Sequence, residues 1–285
     1  YEIEGPEFES LSMLGPNIGL DNFSDIAYAT RLCDELGVDT ISMGHVIGVV
    51  AEAAERALLP MDMARELEPG FGKSEAAFGL IRKCAFAEDE IGRLLGAGPA
   101  ELAQRLGHPE LAMAVKGLGL PAYDPRGIKG LGLNYATAAE GASHMRGPTM
   151  GPEIAAGKRH DETEEAEMVI ECQVSMAVAD SVGLCSTCRL GMEPEHIAEF
   201  LTAVTGEEYT GDELRERGKE ILTLERRYNL REGFAKKDDT LPRRFLEEPI
   251  PEGHSAGSTI NLDDMLAEYY RRRGWDGPAH PDLPP

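Results

Sequence analysis

Two copies of one six-residue pattern set where helices must stop in this chain. Asp34-Glu35-Leu36-Gly37-Val38-Asp39 and Asp180-Ser181-Val182-Gly183-Leu184-Cys185 share the frame Asp-x-x-Gly-(Val/Leu)-(Asp/Cys). Each copy follows a stretch with helical apolar spacing, and each puts a glycine where a helix closing in a left-handed turn needs one. The aspartate three residues earlier falls in the last helical turn, where the helix macrodipole is itself negative. An acid in that unfavourable place, twice in one frame, suggests a carboxylate that accepts something. Two ordinary helix ends that share a glycine is the plainer alternative. The final position is a second acid, Asp39, in one copy and the thiol of Cys185 in the other.

Almost nothing else in the chain alternates with period two, so the expected fold class is mainly α. Residues 1–20 are turn-rich and read as loop or functional surface. Ser24 is the expected cap of a helix ending near Leu36, and a second helix is expected from Thr40 to Leu58. Within it, Gly44 and Gly48 suggest close backbone approach to a neighbouring helix or a ligand. Residues 60–73 read as loop. Short helices are expected over Ser74–Ala87, Asp89–Leu95 and Pro99–Leu106. A glycine-rich segment from Gly117 to Gly147 is too long for an idle connector and reads as a functional loop. A domain boundary is placed near Ala114, giving domains 1–113 and 114–285. Further helices are expected over Glu162–Ser181, Glu193–Thr205, Asp212–Leu230 and Leu262–Arg273. The Glu/Arg pairs of Asp212–Leu230 mark a solvated face. Residues 233–261 read as irregular, and Pro278–Pro285 as a tail.

The chain has 285 residues and a net charge of −23, from 51 acids against 28 bases. That balance argues against nucleic acid or an anionic membrane surface as the main partner. Its apolar runs are too short to span a bilayer, and no signal peptide is visible. Opening on Tyr1 without an initiator methionine, it reads as a segment of a longer protein. The five cysteines, Cys33, Cys84, Cys172, Cys185 and Cys188, do not make a disulfide framework. They fit reduced thiols in a cytoplasmic protein. Cys33 and Cys172 read as core, while Cys185 and Cys188 form a single Cys-x-x-Cys open to redox or metal chemistry.

Taken singly, the remaining polar residues have plain readings. Glu7 and Glu9 sit in a Gly-Pro-led turn and would ordinarily be solvated. A lone His144 in Gly141-Ala-Ser-His144-Met-Arg146 is more often a satisfied polar group than a catalyst. Read in order along the chain, the motifs resemble the tungsten-containing aldehyde:ferredoxin oxidoreductases. The resemblance runs from Gly5-Pro6-Glu7-Phe8-Glu9-Ser10 through the first hexapeptide and Leu120-Pro-Ala-Tyr-Asp-Pro-Arg-Gly127 to the second. It continues through Arg231-Glu-Gly-Phe, Asp238-Asp-Thr-Leu-Pro242 and Arg244-Phe-Leu-Glu-Glu-Pro249 to Tyr269-Tyr-Arg-Arg-Arg-Gly-Trp275.

The resemblance implies two helical domains flanking a cofactor site, with the family's N-terminal β domain absent. It implies a tungsten bis-pterin, a [4Fe–4S] cluster and a magnesium ion bridging the pterin phosphates. By the same likeness, Asp34 and Asp180 would accept hydrogen bonds from the two pterins. Gly37, Val38 and Asp39, with Gly183 and Leu184, would complete the two pterin-binding elements. Cys185 matches the fourth thiolate of the cluster, and Glu9 and His144 match the acid and histidine of the substrate pocket. The implied reaction is oxidation of a small aldehyde to a carboxylic acid, with electrons passed to ferredoxin.

Three departures from the family pattern stand out. The other three cluster cysteines belong to a Cys-x-x-Cys-x-x-x-Cys that would precede Tyr1. Some members carry Glu-x-x-His in the first helix as a metal bridge between subunits. Here these positions are Ala27 and Thr30, so a homodimer stays open but without that bridge. A lysine often found two residues after the pocket histidine is Arg146. Two alternatives remain beside the aldehyde reading: a tungstopterin enzyme acting on another substrate, such as an aromatic thioester, and a cofactor-free helical scaffold.

Overall fold

The structure is a computed structural model, and it describes residues 4–157, 162, 164–189 and 191–275. It is mainly helical, as expected, with one two-stranded hairpin among the described residues. The chain divides into two compact units, Tyr1–Tyr123 and Asp124–Pro285.

The first unit is assembled around α3 (Thr40–Glu55), which has α1 (Phe8–Met13), α5 (Ser74–Phe86) and α7 (Pro99–Arg105) packed on it. Nine of its residues are buried, among them Met43, Val46, Ile47, Val49 and Val50. Truncating one such aliphatic side chain to alanine typically costs about 2–5 kcal/mol. α2 (Phe23–Leu36) precedes α3, and the two helices are bent by 117° at the first hexapeptide. The cap of α2 is Asn22 rather than Ser24: Asn22 is extended, and its side chain accepts from Ser24 N and Asp25 N. Close approach at Gly44 is real, since a Cβ there would lie 2.5 Å from Met13 O, whereas Gly48 has only ordinary contact.

Four expectations for this unit are corrected. Residues 8–20 are not surface loop, because α1 forms and Met13, Leu14 and Ile18 enter the core. α3 stops at Glu55, before Leu58. Met61–Leu67 forms a helix, α4, burying Met63 and Leu67 one turn apart. The unit also ends later than Ala114. The hairpin β1 (Ala114–Val115) and β2 (Leu118–Gly119) packs on α3, and buried His45 reaches the carbonyl of Leu120. α6 (Glu90–Gly96) completes this unit's helices.

The second unit is assembled around α10 (Glu165–Ser181), which packs against α8 (Lys129–Thr137), α12 (Pro194–Thr205), α13 (Gly211–Arg231) and α15 (Leu262–Arg273). α8 lies inside the segment expected to be loop. Its glycines leave no bulk, so the helix is enclosed and residues 129–136 are all buried. Lys129 is accommodated there because its Nζ donates to Glu162 Oε1 and to Thr259 O. α9 (Met150–Ala156), α11 (Ser186–Arg189) and α14 (Arg243–Glu247) are short. The last of these interrupts the stretch read as irregular. A buried ion pair, Arg226 Nη1 to Asp239 Oδ2 at 2.9 Å, joins α13 to the segment before α14, and Tyr270 donates to the same carboxylate. The expected tail at Pro278–Pro285 lies outside the described residues.

Burial pushes the His45 imidazole below its ordinary value of 6.5, against the opposing effects of the Leu120 bond and Asp39. Neutral His45 donates its Nε2–H to Leu120 O at 2.6 Å. Because the folded value is the lower one, the unfolded chain takes up the proton first as pH falls. This stabilisation is therefore present above 6.5 and lost below it. The urea midpoint is expected to drop between about pH 7.5 and pH 5.5. His45→Gln, which keeps a donor but does not titrate, should flatten that part of the drop; an unchanged drop would exclude His45 as its source.

Candidate functional site

The two hexapeptides fold into the same joint. In the first, Gly37 has φ 69° and its N–H points to Asp34 O, while Val38 N donates to Cys33 O at 2.8 Å. In the second, Gly183 has φ 72°, Gly183 N donates to Asp180 O, and Leu184 N donates to Ala179 O at 2.9 Å. This paired closure is the Schellman arrangement, and it needs a left-handed residue that an L side chain resists. Val38 then packs on the core of the first unit, and Leu184 on the Val178–Ile197–Ala198–Leu214 cluster of the second. The final residue starts the next helix. Asp39 accepts from Ser42 N at 2.7 Å and caps α3, while Cys185 immediately precedes α11.

Asp34 and Asp180 are both exposed at these ends. In the first unit Asp34 lines an open cleft of about 370 Å³ together with Glu7, Ser10 and Thr30. Glu9 stands in the first turn of α1, not in a free turn. Its Oε2 accepts from Ala122 N at 2.8 Å. The Phe8 and Tyr123 rings, 5.0 Å apart, flank that contact in sequence, and burial followed by the Glu9 charge pushes the Tyr123 phenol up.

In the second unit, Asp180 Oδ2 faces Arg146 Nη1 at 3.5 Å. The same guanidinium meets Glu140 at 3.0 Å and Glu225 at 3.6 Å. Burial raises the Glu225 carboxyl above its ordinary value; Arg146 opposes this, and Glu140 and Asp180 add to it. His144 is half-buried two residues before Arg146. The exposed Cys185 thiol is drawn below its ordinary value by hydrogen bonds from the backbone and side chain of Thr187, with Cys188 N adding to them. By contrast Cys33 is buried and pushed up to about 12, first by burial. Among the described residues, no group of three or more His, Cys, Asp or Glu side chains is arranged to hold a metal ion.

Glu225 and Glu140 were not singled out from the sequence. The Glu/Arg pairs of α13 mark a solvated face, yet Leu222, Glu225, Arg226 and Asn229 line one small interior cleft. Their i, i+3, i+4, i+7 spacing is the signal that was available, but charged residues on that stripe hid it.

Replacing Arg146 by Met should leave Asp180, Glu140 and Glu225 facing one another without their cation. Loss of the Arg146 attraction raises Glu225 further above its ordinary 4.5. An acid whose folded value is raised loses folding stability as pH climbs from the unfolded value through the folded one. The variant should therefore lose more stability than the parent between about pH 5 and pH 8, by roughly 1 kcal/mol. Adding Glu225→Gln should recover most of it; denaturant melts at both pH values that run parallel to the parent would refute the coupling.

Comparison with known proteins adds the family. The family model "Aldehyde ferredoxin oxidoreductase, domains 2 & 3" matches residues 1–282. The chain is 40% identical over 281 residues to the tungsten-containing aldehyde ferredoxin oxidoreductase of Pyrococcus furiosus, covering 96% of this chain and 46% of that protein. Its counterpart from Thermococcus kodakarensis is 39% identical over 279 residues, covering 95% and 46%. The aliphatic sulfonate oxidoreductase, WOR-like subunit, of Pyrococcus furiosus is 28% identical over 292 residues, covering 96% of this chain and 43% of that protein. The chain thus spans about half the length of the curated relatives it matches. Among solved structures, the active-site complex BamBC of benzoyl coenzyme A reductase superposes with a TM-score of 0.73 at 18% identity, over 96% of this chain and 48% of that one, a likeness of fold. With a family match over nearly its whole length and an identical backbone joint at both hexapeptides, this chain belongs to the aldehyde ferredoxin oxidoreductase family.

Proposed function

We propose that this chain forms the helical part of a tungsten bis-pterin oxidoreductase that oxidises an aldehyde to a carboxylic acid, with electrons leaving through a [4Fe–4S] cluster to ferredoxin. The observation that carries the reading is the pair of matching helix ends, each leaving an exposed aspartate beside a left-handed glycine. Such ends suit a pterin, whose ring N–H groups need acceptors and whose flat rings need backbone without side chains in the way. Asp34 with Gly37, Val38 and Asp39 would hold one pterin, and Asp180 with Gly183 and Leu184 the other. One oxygen of Asp39 is engaged by Ser42, so Asp34 is the freer acceptor of the first copy. Bound there, the tungsten centre would supply two-electron chemistry. A lowered thiol at Cys185 suits a thiolate ligand of the cluster.

Oxidation of an aldehyde by water releases two electrons and two protons, so the site needs groups that take protons. Glu9 is the acid proposed for this in the first unit, its carboxylate oriented by the Ala122 amide. His144 is the imidazole proposed in the second. Aldehydes are favoured over sulfonates as substrates because the aldehyde-oxidising relatives are the more similar ones.

The reading is tested in the full-length enzyme by metal and cofactor content. One tungsten and about four irons per chain are expected; their absence would leave the scaffold alternative. Asp34→Asn and Asp180→Asn should each lower pterin and tungsten retained after gel filtration, because an amide turns one acceptor oxygen into a donor. Each lost charge-assisted bond costs about 1.5–3 kcal/mol. The control is Glu35→Gln, an exposed residue paired with Arg31 one turn away. Equal retention in all three variants would reduce the repeat to a pair of helix ends. Separately, His144→Ala should keep tungsten while kcat falls roughly 10²–10⁴-fold, the range for a positioned proton-transfer group. Loss of metal instead would make His144 structural.

A further inference from the structure

The backbone around His144 is tied to a chain of buried amides that runs across the second unit. Tyr269 OH donates to Gln173 Oε1 at 2.7 Å. Gln173 Nε2 donates to Asn134 Oδ1 and to Thr137 Oγ1, both at 3.1 Å. Asn134 Nδ2 donates to Ser143 O at 2.8 Å, and Ser143 Oγ accepts from Met145 N. The residues on either side of His144 are therefore both engaged through Ser143. Further on, Gly147 rests on the same amides: a Cβ there would lie 2.4 Å from Asn134 Oδ1 and 2.8 Å from Gln173 Cγ.

Tyr269, Gln173 and Asn134 are all buried. The Ser143 carbonyl can only accept, and that fixes every orientation before it. Asn134 must present its NH₂ to that carbonyl and its oxygen to Gln173, and Gln173 must in turn present its NH₂ to Asn134 and its oxygen to the Tyr269 hydroxyl, which donates. A buried chain with one allowed direction is costly to rearrange, because flipping one amide leaves two neighbours facing like groups. Apolar side chains of similar size would fill the same space without directing anything.

We propose that Asn134 and Gln173 are positioning residues for the His144 imidazole, fixing the 143–147 segment through this directed chain from Tyr269. The inference rests on the proposed role of His144, and its test separates the two. In the full-length enzyme, Asn134→Ser removes the donor to Ser143 O, and hydrogen–deuterium exchange is read segment by segment. Exchange over 143–147 should rise roughly tenfold, while α2 and α13 keep their protection. Tyr269→Phe, which removes the first donor and keeps the ring, should raise exchange in the same segment by roughly two- to tenfold. If both variants leave 143–147 as protected as in the parent, the inference is overturned.

The second readout is kinetic. Asn134→Ser should lower kcat roughly ten- to a hundredfold with KM for the aldehyde and tungsten content nearly unchanged, since it displaces a group rather than removing it. Placed on a His144→Ala background, it should cause no further loss of kcat, because the group it positions is gone. A full additional loss on that background would show that Asn134 acts on the general fold, which overturns the inference. An active His144→Ala enzyme would instead remove the proposed role of His144, and the exchange measurement would still decide whether the segment is pinned.

Discussion

The left-handed conformation at Gly37 and Gly183 is the constraint on which the rest of each unit depends. It turns the chain abruptly, so that a helix ends and its last carbonyls are paired by the two amides that follow. In the first unit this lets α2 and α3 meet at 117° instead of forming one long rod. α3 is thereby free to become the element that α1, α5 and α7 enclose. In the second unit the same turn ends α10, the corresponding central helix, and Leu184 is delivered to the Val178 cluster. A side chain at either glycine would strain the turn and, through it, the angle at which a central helix enters or leaves its core.

The interior of the second unit is more polar than its helical architecture requires. Gln173, Asn134, Tyr269, Lys129 and Asp239 are all buried, and each has a partner: the amide chain, Glu162, or the Arg226–Tyr270 pair. Removing one partner from such a group costs about 1–3 kcal/mol, whereas an apolar replacement of the whole set is often neutral. Stability alone does not explain polar groups there. What they add is direction, since an amide chain that starts at a tyrosine hydroxyl holds α8, α10 and the 143–147 segment in one register.

Much of this was legible in the sequence, for physical reasons particular to each stretch. The long helices α2 and α10 were legible from their apolar spacing and α13 from its Glu/Arg pairs, with ends displaced by a few residues. Cys33 and Cys172 were rightly placed in the core. The repeated hexapeptide was legible because a glycine conformation and its neighbours must coincide. α8 was not, because Lys129-Gly-Leu-Gly-Leu carries two poor helix formers that only tertiary enclosure overrides. α1 and α4 are too short for periodicity to register. Glu225 was missed since a charged residue on a charged helix gives no sign of facing inward until Arg146 is seen opposite it. Nor can spacing reveal that Ala122 N holds Glu9, a contact between residues far apart in the chain.

The two joints share a backbone but not a charge. The first carries Asp34 and Asp39, while the second carries Asp180 and a thiol, and Asp180 Oδ2 is faced by the Arg146 guanidinium. A lysine at position 146 would bring one compact ammonium. The guanidinium instead spreads its donors, meeting Glu140 through Nε and Nη2 while Nη1 faces both Asp180 and Glu225. Arg146 therefore offsets part of the negative charge at the second joint, in a chain whose net charge is −23. On the reading proposed here, that is the joint that would also accommodate a thiolate-ligated cluster, itself an anion. An uncompensated carboxylate beside such a group would be repelled, so a cation that engages only one oxygen of Asp180 offsets the charge and leaves the other oxygen as the acceptor for a pterin.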